Sequence, residues 1–371
     1  MKFIIKKREF GEVLSKLQGL TGRKSNLAIT ANVLITAAGS GITIMATDLE
    51  TGFEGSYSAK VQSEGSIAIN ARKLYEIVRE FPSDEINIKE IENRWIEIGN
   101  KNIEYHIVGM NSEDFPDIPR IEDVVFFDID SDGLRKMIEE SLVIGTTDDK
   151  RAHIIGVYIE SIKNEDKKIL RMVSTDGSRL STSDYVYDIN SNFNIEPGII
   201  IPKKGLNEVV KFLDSSGIVQ IGLKDNNFIA KKDSETIIIR LLEGEFPKYK
   251  DIIKKGKTNE IQMDKQLFLM MLKRMSILSS ENYKGVIFNF VKDKLIITST
   301  NPDIGESKED MSIPYNGDPI EVAFNPKYFI DTLNVIEEDN IILNIINDEK
   351  PCLIEAEINK NFLSVVMPMR I

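Results

Sequence analysis

The chain has 371 residues, of which 42% are hydrophobic and 29% charged, and 59 acidic against 47 basic side chains give a net charge of −12 at pH 7. That mixture is globular and too long for one compact core, and it excludes a disordered chain. The longest apolar runs, such as 267–272, fall far short of a membrane span.

In chain order, apolar residues first recur at helical spacing over 10–20, with Val13, Leu14, Leu17 and Leu20 on one face. A turn at Thr47-Asp48-Leu49-Glu50 follows. The basic opening Ala71-Arg72-Lys73-Leu74 then predicts a helix over Ala71–Glu80, and alternating runs at 86–88 and 95–98 predict strands before the segment Asp114-Phe115-Pro116. The same order returns. A helix over 133–144 and a strand over 157–159 lead to the turn Thr175-Asp176-Gly177-Ser178. Pro202-Lys203-Lys204-Gly205 then opens a helix over 203–213, a strand covers 237–241, and Glu245-Phe246-Pro247 closes the unit. A third round has a helix over 266–278, strands over 286–290 and 294–298, the turn Thr300-Asn301-Pro302-Asp303, a helix over Pro326–Val335, a strand over 341–345 and the closing Val366-Met367-Pro368. Asp132 and Asp264 are the expected N-caps of the second and third first helices, and Pro326 suits a first helical turn.

Landmarks in one order at near-constant spacing, roughly a third of the chain apart, mean one supersecondary plan used three times. Each repeat is read as beginning with its first helix. Two helices against many strands, without strict alternation, predict an α+β fold with antiparallel sheets. The polar stretches 117–123 and 253–259, holding Pro119 and Gly256, divide the chain into domains at 1–121, 122–254 and 255–371.

No constellation carries chemistry, so the chain reads as a non-enzyme with no cofactor and no metal. His106 and His153 are the only histidines and lie far apart, which supports neither a triad nor a metal cluster. Gly39-Ser40-Gly41 lacks the Lys-Ser/Thr ending of a phosphate loop. Asp48 and Asp176, each in a turn after a strand, are expected to bond their own backbone. Cys352 stands alone and permits no internal disulfide. The charged start Met1-Lys2-Phe3-Ile4-Ile5-Lys6 lacks the apolar stretch of a signal peptide, and a cytoplasmic location is expected. The acidic total opposes a phosphate partner, yet the helical segments are on balance slightly basic, so the excess acid lies outside them.

Thr47-Asp48-Leu49-Glu50, the run from Ser174 to Leu180, Ile201-Pro202-Lys203-Lys204-Gly205, the run from Gly244 to Tyr249 and the terminal run from Val365 to Ile371 together resemble the bacterial sliding clamps, the beta subunits of DNA polymerase III. The likeness covers the chain end to end. It implies a homodimeric, head-to-tail closed ring of clamp-type domains, with helices lining a hole that encircles double-stranded DNA without sequence specificity. Such a ring tethers the polymerase and confers processivity. A topological link needs no tight phosphate grip, which suits weakly basic helices and an acidic exterior.

The resemblance also implies a groove between the second and third domains that takes short peptides from the polymerase alpha subunit, the clamp loader, and other polymerases and repair factors. Carried over by motif, its residues are Ile154, Thr175, Gly177, Ser178, Arg179, Leu180, Pro247 and Ile252 on one side. Asn325, Tyr328, Val365, Val366, Met367, Pro368, Met369 and Arg370 form the other. Methionines and aliphatic side chains adapt to varied ligands, while Arg179 and Arg370 can hold carboxylate or carbonyl oxygens. Ser178 departs from the bulkier residue that relatives can carry. The implied DNA contacts are Arg23, Lys24, Arg72, Lys150, Arg151, Lys203 and Lys204, although Asp148 and Asp149 sit beside two of them. For the dimer the resemblance sets Lys73, Ile103 and Tyr105 against Ile277, Leu278, Asp303, Glu306, Glu309 and Asp310. From the residues without the resemblance, two other readings stand: a monomeric three-repeat peptide scaffold, and an enzyme using Asp48 or Asp176.

Overall fold

The computed structural model describes residues 1–22, 28–119, 122–145, 151–164, 167–188, 193–213, 216–256, 259–279 and 285–370. Three tandem repeats of one α+β plan account for them. Each repeat runs strand, helix, a group of strands, helix, three strands. The first helices are Lys7–Thr21, Ser131–Leu142 and Lys265–Met275, and the second are Ala71–Glu80, Lys203–Phe212 and Pro326–Val335. The 266–278 prediction ends three residues late because Ser276–Leu278 tightens into a 3-10 turn.

Each repeat opens on a strand rather than on its first helix, a correction to the sequence reading. These strands are Lys2–Lys6, Phe126–Asp130 and Asn259–Asp264, too short and too charged at their ends to announce themselves. The last residues of two of them cap the helices. Asp264 accepts a bond of 2.7 Å from the Leu267 amide, as expected. In the second repeat it is Asp130, not Asp132, that accepts from the Gly133 amide at 2.8 Å, since Asp132 already lies inside the helix. Asn70 and Asn325 cap Ala71–Glu80 and Pro326–Val335 in the same way, with Pro326 in the first turn.

The chain forms two compact units, Met1–Gly133 with Lys204–Leu241, and Leu134–Lys203 with Leu242–Ile371. In the first, one sheet of eight strands runs in the order Phe126–Asp130, Ile218–Lys224, Asn227–Lys232, Glu235–Arg240, Thr51–Ser58, Gly41–Thr47, Asn32–Ala38, Gly65–Asn70. Half of it comes from the second repeat and half from the first, joined where Ile237 faces Phe53 and Ile239 faces Thr51. A second sheet in this unit, ordered Lys60–Ser63, Lys2–Lys6, Glu85–Glu90, Trp95–Gly99, Glu104–Val108, ends on Glu104–Val108 as an edge.

The other unit repeats the arrangement. Its eight-stranded sheet runs Ile199–Pro202, Gly156–Asn164, Lys167–Thr175, Arg179–Asp188, Phe362–Val366, Cys352–Ala356, Asn340–Ile345, Asn259–Asp264. The join lies between Arg179–Asp188 of the second repeat and Phe362–Val366 of the third, with Arg179 opposite Val366 and Leu180 opposite Val365. A four-stranded sheet, Gly305–Ser312, Lys294–Asn301, Val286–Val291, Ile320–Phe324, has Gly305–Ser312 at its edge. All these pairings are antiparallel, as the composition of the repeats predicts.

The third repeat is built on phenylalanine. Phe268, Phe288, Phe290, Phe324 and Phe329 are fully buried. Phe288 sits among them, 5.1 Å from the Phe329 ring and 5.3 Å from Phe324 in an edge-on contact. Cys352 is buried in the same core, and burial pushes its thiol up to about 12, so it is a packing residue. In the first unit Gly205 lets helix Lys203–Phe212 approach strand Glu235–Arg240, since a Cβ there would lie 2.6 Å from Ile239 Cγ2. Among the described residues no helix is long and apolar enough to cross a membrane.

Candidate functional site

The repeated Thr-Asp turns are one device. At Thr47-Asp48 the Thr47 hydroxyl donates to the Thr51 carbonyl at 2.9 Å and accepts from the Leu49 amide, while Asp48 Oδ1 accepts from the amides of Glu50 and Thr51. At Thr175-Asp176 the Thr175 hydroxyl donates to the Arg179 carbonyl at 2.7 Å, and Asp176 Oδ1 accepts from Ser178 and Arg179 at 2.9 and 3.0 Å. Asn301 plays the same part toward the Asp303 amide. Asp48 and Asp176 therefore act as turn residues toward their own backbone. The third turn residue is left-handed, φ 78° at Leu49 and 91° at Gly177, which costs nothing for glycine and strains leucine.

The Thr175-Asp176 turn also aims Arg179. Its guanidinium donates to Asp176 Oδ2 at 3.0 Å and to Asp331 Oδ2 at 2.8 Å, and lies 4.3 Å from the centre of the Tyr328 ring. Asp331 and Tyr328 belong to helix Pro326–Val335, so Arg179, Asp331 and Tyr328 form one charged and aromatic group, and Asn325 caps that helix by accepting from the Lys327 amide.

The C-terminal segment is pinned against that turn. Beyond strand Phe362–Val366, the Met367 amide donates to the Ser178 carbonyl at 3.0 Å, and the Met369 amide donates to the Ala323 carbonyl at 2.8 Å. With its backbone held at both points, this segment turns Met367 and Met369 outward, each 39% exposed, and Arg370 with them. Gly177, Ser178, Pro247 and Ile252 are exposed as well.

A small apolar cluster completes the site. Thr175, Leu180, Val365 and Leu353 are successive partners across four strands, and Val173 and Tyr249 join the cluster with half-buried Tyr158, Phe246, Ile253 and Leu363 around it. Tyr158 stacks on Phe246 at 4.9 Å, and the Tyr249 hydroxyl donates to Glu160. The sequence names Phe246 and Tyr249 only as parts of the repeat-closing segment and assigns no role to Tyr158, Ile253, Leu353 or Leu363. Tyr158, Leu353 and Leu363 lie on strands, where period two is the available signal, whereas Phe246, Tyr249 and Ile253 lie in the segment between strands Glu235–Arg240 and Asn259–Asp264 and carry none.

Several sequence-derived assignments are corrected here. Side chains alternate along a strand, so of Val365 and Val366 only one can face this cluster. Val366 turns the other way into the third repeat's core and offers no surface. Ile154 is buried in the short helix Ala152–Ile155. Lys203 is fully buried at the start of its helix and cannot reach a phosphate. Burial pushes its ammonium down to about 8, with Arg179 adding to the effect and Asp176 opposing it.

Of the other cationic candidates, Arg72 is exposed and bound to Glu76 at 3.0 Å, while Arg151 and Lys204 are exposed. Arg23, Lys24 and Lys150, with Asp148 and Asp149, lie outside the described residues. Among the interface candidates, Ile103 and Tyr105 lie at edge strand Glu104–Val108, and Glu306, Glu309 and Asp310 lie on edge strand Gly305–Ser312. Asp303 is exposed just before that strand, Ile277 is 75% exposed and Leu278 half-buried. Several of these charges already have partners in the chain: Lys73 with Glu76, Glu309 with Arg274, and Asp310 with Lys294 at 3.1 Å. Exposed Val108 and Ile304 extend both edges and went unnoticed in the sequence.

Family models match nearly the whole length in order: the N-terminal domain of the DNA polymerase III beta subunit at residues 1–119, its central domain at 128–248 and its C-terminal domain at 250–370. The chain belongs to the DNA polymerase III beta subunit family. It is thus a sliding clamp, a processivity factor rather than an enzyme. The beta sliding clamp of Chlamydia pneumoniae is 26% identical over 371 residues, covering 100% of this chain and 99% of that one. A Pseudomonas aeruginosa sliding clamp crystallised with a ligand superposes with a TM-score of 0.91 at 27% identity, and a Bartonella birtlesii clamp bound to griselimycin with 0.93 at 25%, each covering 100% of both chains.

Proposed function

We propose that two copies of this chain close head to tail into a ring around duplex DNA, each contributing three domains, 1–121, 122–254 and 255–371. The observation that carries this reading is the pattern of paired half-sheets. Both junctions between successive repeats are eight-stranded sheets shared half and half, which leaves the sheets ending in Glu104–Val108 and Gly305–Ser312 as the unpaired halves. Pairing these two edges between copies would repeat the internal junction, and two such contacts related by a twofold axis close a ring. Tyr105 and Val108 on one edge and Ile277 and Ile304 by the other supply apolar surface for it.

The site around Arg179 and Met367 is the groove for short peptides of the polymerase alpha subunit, the clamp loader, other polymerases and repair factors. Exposed methionines beside an apolar cluster and a held arginine suit varied peptide side chains. Arg72, Arg151 and Lys204 remain as weak, sequence-independent phosphate contacts, and the working compartment is the cytoplasm.

Negative-stain electron microscopy of the purified chain tests the ring, with retention on circular but not linearised DNA as the functional readout. A closed ring of like lobes with DNA lost on linearisation is expected. An open three-lobed particle at every concentration would overturn the reading in favour of a monomeric scaffold.

A further inference from the structure

The first repeat carries a cleft that neither the ring nor the Arg179 groove uses. Along strands Asn32–Ala38 and Gly41–Thr47, Val33, Ile35, Ile42 and Ile44 are buried in the core, so alternation turns Leu34 and Met45 to the opposite face. Leu34, Met45 and Glu54 are successive partners across three strands there. The segment Ser112 to Ile118 lies alongside and leaves a cleft of about 610 Å³ floored by Leu34, Met45, Phe115 and Ile118.

Among the described residues the rim of this cleft has one sign: Glu54, Glu113, Asp117 and Glu122 line it, and neither Lys nor Arg does. Glu113, Asp117 and Glu122 are exposed, and among the described residues none of the four is ion-paired. Like charges around a low-dielectric floor focus a negative potential that repels phosphate and draws a cation with apolar parts. Among the described residues no group of His, Cys, Asp and Glu is arranged to hold a metal ion, which leaves an organic cation. The Phe115-Pro116 wall is the first repeat's counterpart of Phe246-Pro247, the segment beside the Arg179 groove. A cleft of this volume takes one or two side chains of an extended peptide.

We propose that this cleft docks a short basic peptide segment of a partner protein, seating an apolar side chain on Leu34, Met45 and Phe115 while flanking Lys or Arg residues meet Glu54, Glu113 and Asp117.

The test uses the full chain and a fluorescein-labelled decapeptide of alternating Lys, Leu, Arg and Phe, read by anisotropy, with a Glu-substituted counterpart as control. Saturable binding of the basic peptide alone is expected, weakening with added salt and falling about tenfold in the E54Q/E113Q/D117N variant. Met45→Lys should abolish it, while deletion of Met367 to Ile371 should leave it unchanged. Hydrogen exchange should slow over 112–118 when peptide is added, a readout independent of the variants' stability. No saturable binding, binding indifferent to the cleft substitutions, or loss on the tail deletion with protection confined to 366–370 would each overturn the proposal.

Discussion

The Arg179 guanidinium lies 4.3 Å from the centre of the Tyr328 ring and bonds Asp331 on the same helix at 2.8 Å. One side chain of the second repeat is thus held by two of the third, where the strands of those repeats also pair. Removing Arg179 takes away the stacked cation and leaves Asp176 and Asp331 without their shared partner. Arg179→Ala should weaken binding of polymerase-derived peptides by about tenfold or more, and Arg179→Lys should not restore it, because an ammonium has no planar face to lie on the ring while in-plane N–H groups bond both carboxylates. Calorimetric titration of the purified variants checks this.

Among the described residues two backbone bonds, to Ser178 and Ala323, tie the segment after Val366, while the strand before it is paired on both sides. Deleting Met367 to Ile371 should therefore abolish peptide binding and leave the dimer intact. Sedimentation velocity alongside the peptide titration distinguishes that outcome from a structural role, in which the dimer would be lost.

Leu49 and Gly177 occupy the same left-handed position in equivalent turns. Leu49→Gly should stabilise the chain by about 1 kcal/mol and Gly177→Ala should destabilise it by about the same, since a Cβ is strained at that φ. Thermal melts of the two variants should move in opposite directions. A shift of the same sign in both would show that contacts, not backbone strain, govern the turn.

Lys203 is buried and its amine finds no hydrogen-bond partner among the described residues. Its ammonium is held down at about 8, below the ordinary 10.5 of an unfolded lysine. Below about pH 8 both states are protonated and the cost of burying the charge is fully present. Between there and 10.5 the unfolded state binds more protons, so this cost fades as pH rises. Lys203→Met should stabilise the fold near neutral pH by roughly 3 kcal/mol or less, with the gain shrinking as pH climbs past 8. Denaturant unfolding at several pH values reads the slope, and a gain independent of pH would show that packing alone is responsible.

The edges Glu104–Val108 and Gly305–Ser312 set the remaining test. Ile277→Asp, in the turn Ser276–Leu278 that packs on edge strand Gly305–Ser312, should raise the dimer dissociation constant by about a hundredfold or more, since a charge buried at an interface centre is costly. Analytical ultracentrifugation over a dilution series measures it, and an unchanged constant would place the contact elsewhere.

The local chemistry was legible in the sequence because each piece of it closes within a few residues. The spans Ala71–Glu80 and Pro326–Val335 and the cap at Asp264 follow from helical periodicity and one side-chain bond. The backbone bonding of Asp48 and Asp176 likewise follows from turn geometry. What the tertiary structure decided involves partners far apart along the chain. Only the register of Leu180 on Val365 and Ile237 on Phe53 shows that half-sheets are exchanged between repeats. Only that register sends Val366 to the core while Val365 faces the apolar cluster with Leu180 and Tyr249. Lys203, a surface cation by composition, is buried because its environment is assembled from segments the sequence keeps distant. Hydrogen bonds and periodicity act over one or two turns of chain, whereas burial and strand register are set by the packing of whole elements, and no local pattern encodes them.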